Sequence, residues 1–182
     1  MVGQMSERLS KADWLNEGLK TLSVEGVGGL KIGPMADRLK VSRGSFYWHF
    51  TDVGDLRDQL LDHWSERATE EVIRRLEDHA APDRLNALLR VAFVEDRRLE
   101  RAIRAWATTE QRVAATVARV DARRVDVIAR FLGENDVARG PATIRARFVY
   151  WAWLGQTLVM APDAASADPA QIDEIIDLLT GS

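Results

Sequence analysis

The sequence predicts an all-α protein built in two parts, and three observations carry that prediction. Sustained alternation of apolar and polar residues is missing, and so are regularly spaced hairpin turns. Apolar residues recur instead at helical spacing along most of the chain. Glycine and proline gather where that spacing breaks, and they punctuate about nine helices.

The first helix is expected over about Lys11 to Val24, with Ser10 as N-cap and Trp14, Leu15, Leu19 and Leu22 as its apolar stripe. Gly26, Gly28 and Gly29 end it. A short helix follows from Pro34 to about Leu39, with Gly33 at the cap. Another covers Arg43 to His49 behind Ser42, and a longer one after Asp52 carries Leu56, Leu60, Trp64 and Ala68. Pro82 opens the helix of Leu85, Leu88, Leu89, Ala92 and Phe93, and Leu99, Ile103, Trp106 and Ala107 mark the next. A long stripe of Val113, Val117, Val120, Val127, Ile128 and Phe131 closes at Gly133. Gly140 and Pro141 start a strongly apolar helix reaching Met160. A loop from Ala161 to Pro169 then leads to a final amphipathic helix of Ile172, Ile175, Ile176 and Leu179. The natural division falls within the helix that starts near residue 53, and the domains are taken as an N-terminal one over 1–52 and a C-terminal one over 53–182.

Composition narrows the chemistry. With 46% apolar and 29% charged residues in 182, the chain has ample material for a core and is not disordered. It has no cysteine, which excludes disulfides, thiolate catalysis and thiolate metal sites. Residues 148–161 are the most apolar stretch, but Gly155, Gln156 and Thr157 interrupt it, and a span needs about 20 apolar residues. The first ten residues have no apolar signal core, so a cytoplasmic location without a membrane partner is expected. The net charge of −3 conceals an asymmetry, because residues 1–50 carry +2 and the remainder −5. A basic head on an acidic body suits a protein whose head alone meets a polyanion.

The informative segment is residues 32–50, IGPMADRLKVSRGSFYWHF. Met35, Ala36 and Leu39 face inward from its first helix, Val41 plugs the core after the turn, and Phe46 and Phe50 are buried by the second helix. Those choices leave Arg43, Ser45, Tyr47, Trp48 and His49 outside or partly outside. Aromatics at 46, 47, 48 and 50 exceed what one buried face of a short helix can hide. DNA backbone and groove edges would accommodate that exposed mixture.

VSRGSFYWHF resembles the recognition helix of the TetR family of transcriptional regulators, and LKIGPMADRL resembles that family's preceding helix. The likeness spans about residues 10–60; beyond them it extends only to helix number, order and length. It implies a three-helix helix-turn-helix head, a C-terminal helical bundle that senses a small molecule and dimerises, and no enzymatic activity. Arg43 is then expected on a base edge, most readily guanine O6 and N7, and Ser45 on a phosphate or a base. Tyr47 and His49 look like a phosphate-binding pair, Trp48 resembles a residue lying along sugars or a thymine methyl, and Lys31 adds phosphate charge. Two positions depart from the family pattern. Lys40 stands where glycine is common in the turn, and Val53 stands where a phosphate-binding lysine is common; Arg57, one turn on, either substitutes for that lysine or faces solvent.

For the C-terminal domain, Trp64, Phe93, Trp106, Phe131, Tyr150 and Trp151 are candidates to line a pocket for a flat, apolar effector, or else plain core residues at helical spacing. Arg124 interrupts the apolar stripe between Val120 and Val127. It is either the counter-charge for an acidic effector or the partner of Asp121. The helix over 143–160 is apolar nearly all round, and with the final helix it predicts a homodimer contact; burial within one chain is the alternative. No cofactor or metal is expected, since His49, His63 and His79 lack helical ligand spacing and the glycines form no phosphate loop. The expected function is a ligand-responsive regulator, a repressor, binding a palindromic duplex operator as a dimer. The rival is an all-helical ligand carrier or enzyme with a vestigial DNA-binding head.

Overall fold

The structure, a computed structural model, describes residues 9–94, 96–159 and 168–181. Among the described residues there is no strand, and the chain folds into two compact units, Met1–Trp64 and Ser65–Ser182. The division falls inside the helix that starts at Val53, near its end at Ser65.

In the first unit, α1 spans Lys11–Glu25. Its start is locked by a capping box: the Asp13 N–H donates to Ser10 Oγ at 3.3 Å, and the Ser10 N–H donates to Asp13 Oδ2 at 2.7 Å. Helix α2 spans Ile32–Leu39, with Lys31 and not Gly33 at the N-cap. Pro34 then lies inside the first turn, where its missing N–H costs nothing. Lys40 closes α2 in the left-handed region (φ 57°, ψ 41°), and the Val41 N–H donates to the Ala36 carbonyl at 3.0 Å. Val41 is only half-buried and does not plug the core.

Helix α3 is shorter than the expected stretch to His49, running only Arg43–Phe46 before turns take over. Helix α4, Val53–Ser65, buries Leu56, Leu60, Leu61 and Trp64. The α1–α4 approach is close enough that a Cβ on Gly18 would meet Leu60 Cδ2 at 2.7 Å. Trp14 meets Phe46 edge to face, ring centroids 5.3 Å apart, and so ties α1 to α3. Arg38 of α2 bonds Glu17, Thr21 and Glu25 of α1, clamping the two helices from outside the core.

Helix α4 continues without a break through one π turn, Glu66–Glu70, into α5, Glu71–Glu77. The later helices are α6 (Asp83–Val94), α7 (Arg98–Ala107), α8 (Gln111–Gly133), α9 (Arg139–Leu158) and α10 (Pro169–Thr180). Counting the run from α4 to α5 once, the described residues form nine helical rods, as the periodicity predicts. Asp168 caps α10 in a second capping box with Gln171. The expected loop from 161 and the end of its preceding helix at Met160 lie largely outside the described residues.

The core of the second unit gathers Leu85, Leu89 and Phe93 of α6, Phe131 and Leu132 of α8, Val149 and Tyr150 of α9, and Ile172 and Leu179 of α10. No helix among the described residues is long and apolar enough to cross a membrane.

Candidate nucleic-acid interface

The turn between α2 and α3 is held by its apolar underside. Phe46 is fully buried, and its ring meets Phe50 at 5.1 Å and Tyr47 at 5.4 Å between centroids. Burial of position 46 on so short a helix forces its neighbours outward. Tyr47 is 61% exposed and Trp48 78% exposed. Arg43 and Lys31 are exposed, while Ser45 and His49 are half-buried. The six nominated head residues thus sit on α3, the turn after it and the N-cap of α2.

Two details sharpen the reading. The Nε2–H of His49 donates to the Leu9 carbonyl at 3.1 Å, so the ring ties down the chain entering α1. Only Nδ1 is then left for a phosphate, and it can donate only in the imidazolium form. The guanidinium of Arg43 lies against Gly33. Neither contact has a sequence signal, since both join residues far apart in the chain.

At the departures from the family pattern, Lys40 does adopt the left-handed backbone, costing about 1–2 kcal/mol in a non-glycine residue. Val53 begins α4. Arg57 does not simply face solvent: it is half-buried, and its Nε has no partner among the described residues.

The pocket candidates separate. Phe93, Phe131 and Tyr150 belong to the apolar core of the second unit, and Trp64 is buried within the first. Trp106 is buried, and its Nε1 has no partner among the described residues. Trp151 points the other way, 64% exposed on α9, so it lines no interior. One groove of about 150 Å³ beside the π turn is lined by Ser65, Thr69, Glu70, Thr116, Arg119, Val120 and Arg123, none of them a nominated residue.

Arg124 is neither solvated nor paired with Asp121. It donates to both carboxylate oxygens of Glu100 (3.2 and 3.3 Å), to the Ala68 carbonyl and to Thr69 Oγ1. Asp121 is taken by Arg104, at 2.7 and 3.1 Å, and by the Tyr150 hydroxyl, which donates at 2.6 Å. Burial alone would disfavour the Arg104 charge, but Asp121 and Glu100 outweigh it and hold its pKa above the ordinary value. Burial also pushes the Tyr150 hydroxyl well above the usual phenol range. The Trp153 ring lies within 6 Å of both guanidinium carbons, at 5.8 Å from Arg104 and 5.2 Å from Arg124. The sequence reading missed Glu100 and Arg104, although their i, i+4 spacing on α7 was a usable signal. No group of three or more possible metal ligands occurs among the described residues.

No family model matches the chain, and no curated protein matches it in sequence. Solved structures do match its fold. A regulator from Rhodococcus sp. assigned to the TetR family superposes with a TM-score of 0.65 at 20% identity, over 97% of this chain and 100% of that one. FadR from Bacillus subtilis, a transcriptional regulator solved with stearoyl-CoA, gives 0.68 at 12% identity over 94% and 98%. AibR, solved with isovaleryl coenzyme A and operator DNA, gives 0.66 at 18% over 96% and 98%. The chain therefore has the all-α fold of TetR-type regulators over nearly its full length.

Proposed function

We propose that this chain is an effector-responsive transcriptional regulator, a repressor, that binds duplex DNA through α3 and the start of α2 and acts as a homodimer. The observation that carries the reading is the outward set of Arg43 on α3 and Tyr47 and Trp48 in the turn after it, over an underside sealed by Phe46. Large aromatic rings beside a cation are costly in water, and phosphates, sugars and base edges match them.

Dimerisation has its own support. Ile144, Phe148, Trp151 and Leu158 form one exposed stripe along α9, and Leu178 of α10 is exposed as well. A second copy related by a two-fold axis would cover such a stripe with itself. Two heads would then meet successive major grooves, about 34 Å apart.

The effector reading rests on the second unit. Trp106 Nε1, Gln156 Oε1 and Thr157 Oγ1 are buried there without a protein partner among the described residues. Each such group costs about 1–3 kcal/mol unless something fills its bond. Because two structural neighbours were solved with acyl-CoA, thioesters of that kind are the first compounds to test, ahead of flat aromatic molecules. An effector that favours a conformer with mismatched head spacing lowers DNA affinity by its own difference in affinity between the two conformers.

The test is a gel shift with the DNA upstream of the chain's own gene. A specific shift should weaken steeply with salt and need about tenfold more protein in Tyr47→Ala. A shift that survives Tyr47→Ala and Trp48→Ala together contradicts the assignment of this surface. A ligand carrier with an inert head predicts no shift at all.

A further inference from the structure

Gly33 is the second residue of α2, and its φ is not positive, so the backbone there does not require glycine. Glycine inside a helix is less favourable than alanine. Its neighbourhood accounts for it: a Cβ at position 33 would lie 2.9 Å from Arg43 Nη2 and 3.2 Å from both Cζ and Nε of Arg43. The three nearest atoms all belong to one guanidinium. An arginine side chain in open water samples many rotamers, and a seat against a helix start narrows them.

That seat is electrostatically poor in the free protein. It places a cation at the positive end of the α2 dipole, where the N-cap residue, exposed Lys31, makes no side-chain hydrogen bond to the helix. Acceptor atoms arriving from outside would convert the same arrangement into a favourable one.

We propose that Gly33 is a positioning residue: the missing side chain at position 33 seats the Arg43 guanidinium and sets the direction from which it meets a base edge. The inference rests on the DNA-binding reading above. Any side chain at 33 displaces the guanidinium, so sequence preference changes while the fold is kept.

The experiment selects binding sites for the full-length chain from a randomised duplex library, for wild type, Gly33→Ala, Arg43→Ala and the double variant, with melting temperature measured for each. Wild type should enrich a palindromic motif. Arg43→Ala should lose preference at one base pair per half-site by about tenfold, the loss of one good base contact. Gly33→Ala should weaken the same base pair about fivefold or more, with melting unchanged or raised because alanine favours the helix. In the Arg43→Ala background, Gly33→Ala should add nothing. A motif and affinity unaltered by Gly33→Ala, or an equal loss with and without Arg43, overturns the proposal. Enrichment of no sequence by wild type overturns the DNA reading and this inference with it. Independently of DNA, the free protein should show a nuclear Overhauser contact between Arg43 Hε and the Gly33 Hα protons, and its absence sinks the seat.

Discussion

The two units distribute polarity in opposite ways. The first keeps a nearly uniform apolar interior of Trp14, Leu22, Met35, Phe46, Leu56 and Leu60, and sets Arg43, Tyr47 and Trp48 outside on α3 and the turn after it. The second hides its most elaborate polar arrangement, with the Glu100 and Arg124 side chains only 8% and 14% exposed. A surface that must meet a large partner can be laid on a rigid, apolar support. Buried charges instead restrict how α7, α8 and α9 pack, since both guanidiniums must reach Glu100 while Arg104 also holds Asp121. The contrast supports the proposal that α3 and the turn after it are a recognition surface, and it fits the Glu100–Arg124 cluster to a role as internal scaffolding.

Substitutions can break the comparison. The largest effect belongs inside the second unit. Glu100→Ala removes the carboxylate that receives two bonds from Arg124 and one from Arg104, and should lower stability by about 3–5 kcal/mol, read as a lower denaturant midpoint. A loss under 1 kcal/mol would mean that the pair is solvated. Next comes the α9 stripe: Trp151→Glu should cost a dimer about 2 kcal/mol or more of association and produce monomers by light scattering at micromolar concentration. Wild type already monomeric there would remove the dimer reading.

On the head, Tyr47→Ala should lower operator affinity about tenfold, roughly 1.4 kcal/mol, while stability moves by no more than about 0.5 kcal/mol. A comparable drop in stability would make Tyr47 a structural residue. The smallest effect is a gain: Lys40→Gly relieves the left-handed strain, offset by glycine's unfolded-state entropy, for about 0.5–1 kcal/mol of added stability in thermal melts.

What was legible in the sequence follows from the range of each signal. Ser10 and its box partner Asp13 lie three residues apart, so the start of α1 could be placed at its correct residue. Phe46 and Phe50 are one turn apart, and their burial could be inferred from spacing. Pro34 misled by two residues, because proline is tolerated throughout a first turn and does not mark its first position. For Arg124 the sequence allows two roles, an effector's counter-charge or a pair with Asp121 on its own helix. The partner it has, Glu100, comes from α7, and only the packing of α7 on α8 decides that Asp121 goes to Arg104. Tyr150 and Trp151 are adjacent aromatics on an almost wholly apolar helix, so periodicity could not say which faces in; packing buries the first and exposes the second. His49 was placed on phosphate by resemblance, and its bond to Leu9 depends on how the chain enters α1.

Hydrogen–deuterium exchange with and without a library-selected duplex tests the central claim most directly. The account predicts slowed exchange concentrated in residues 31–50, with α8 and α10 unchanged. Slowing confined to the second unit, or none at saturating duplex, would contradict it.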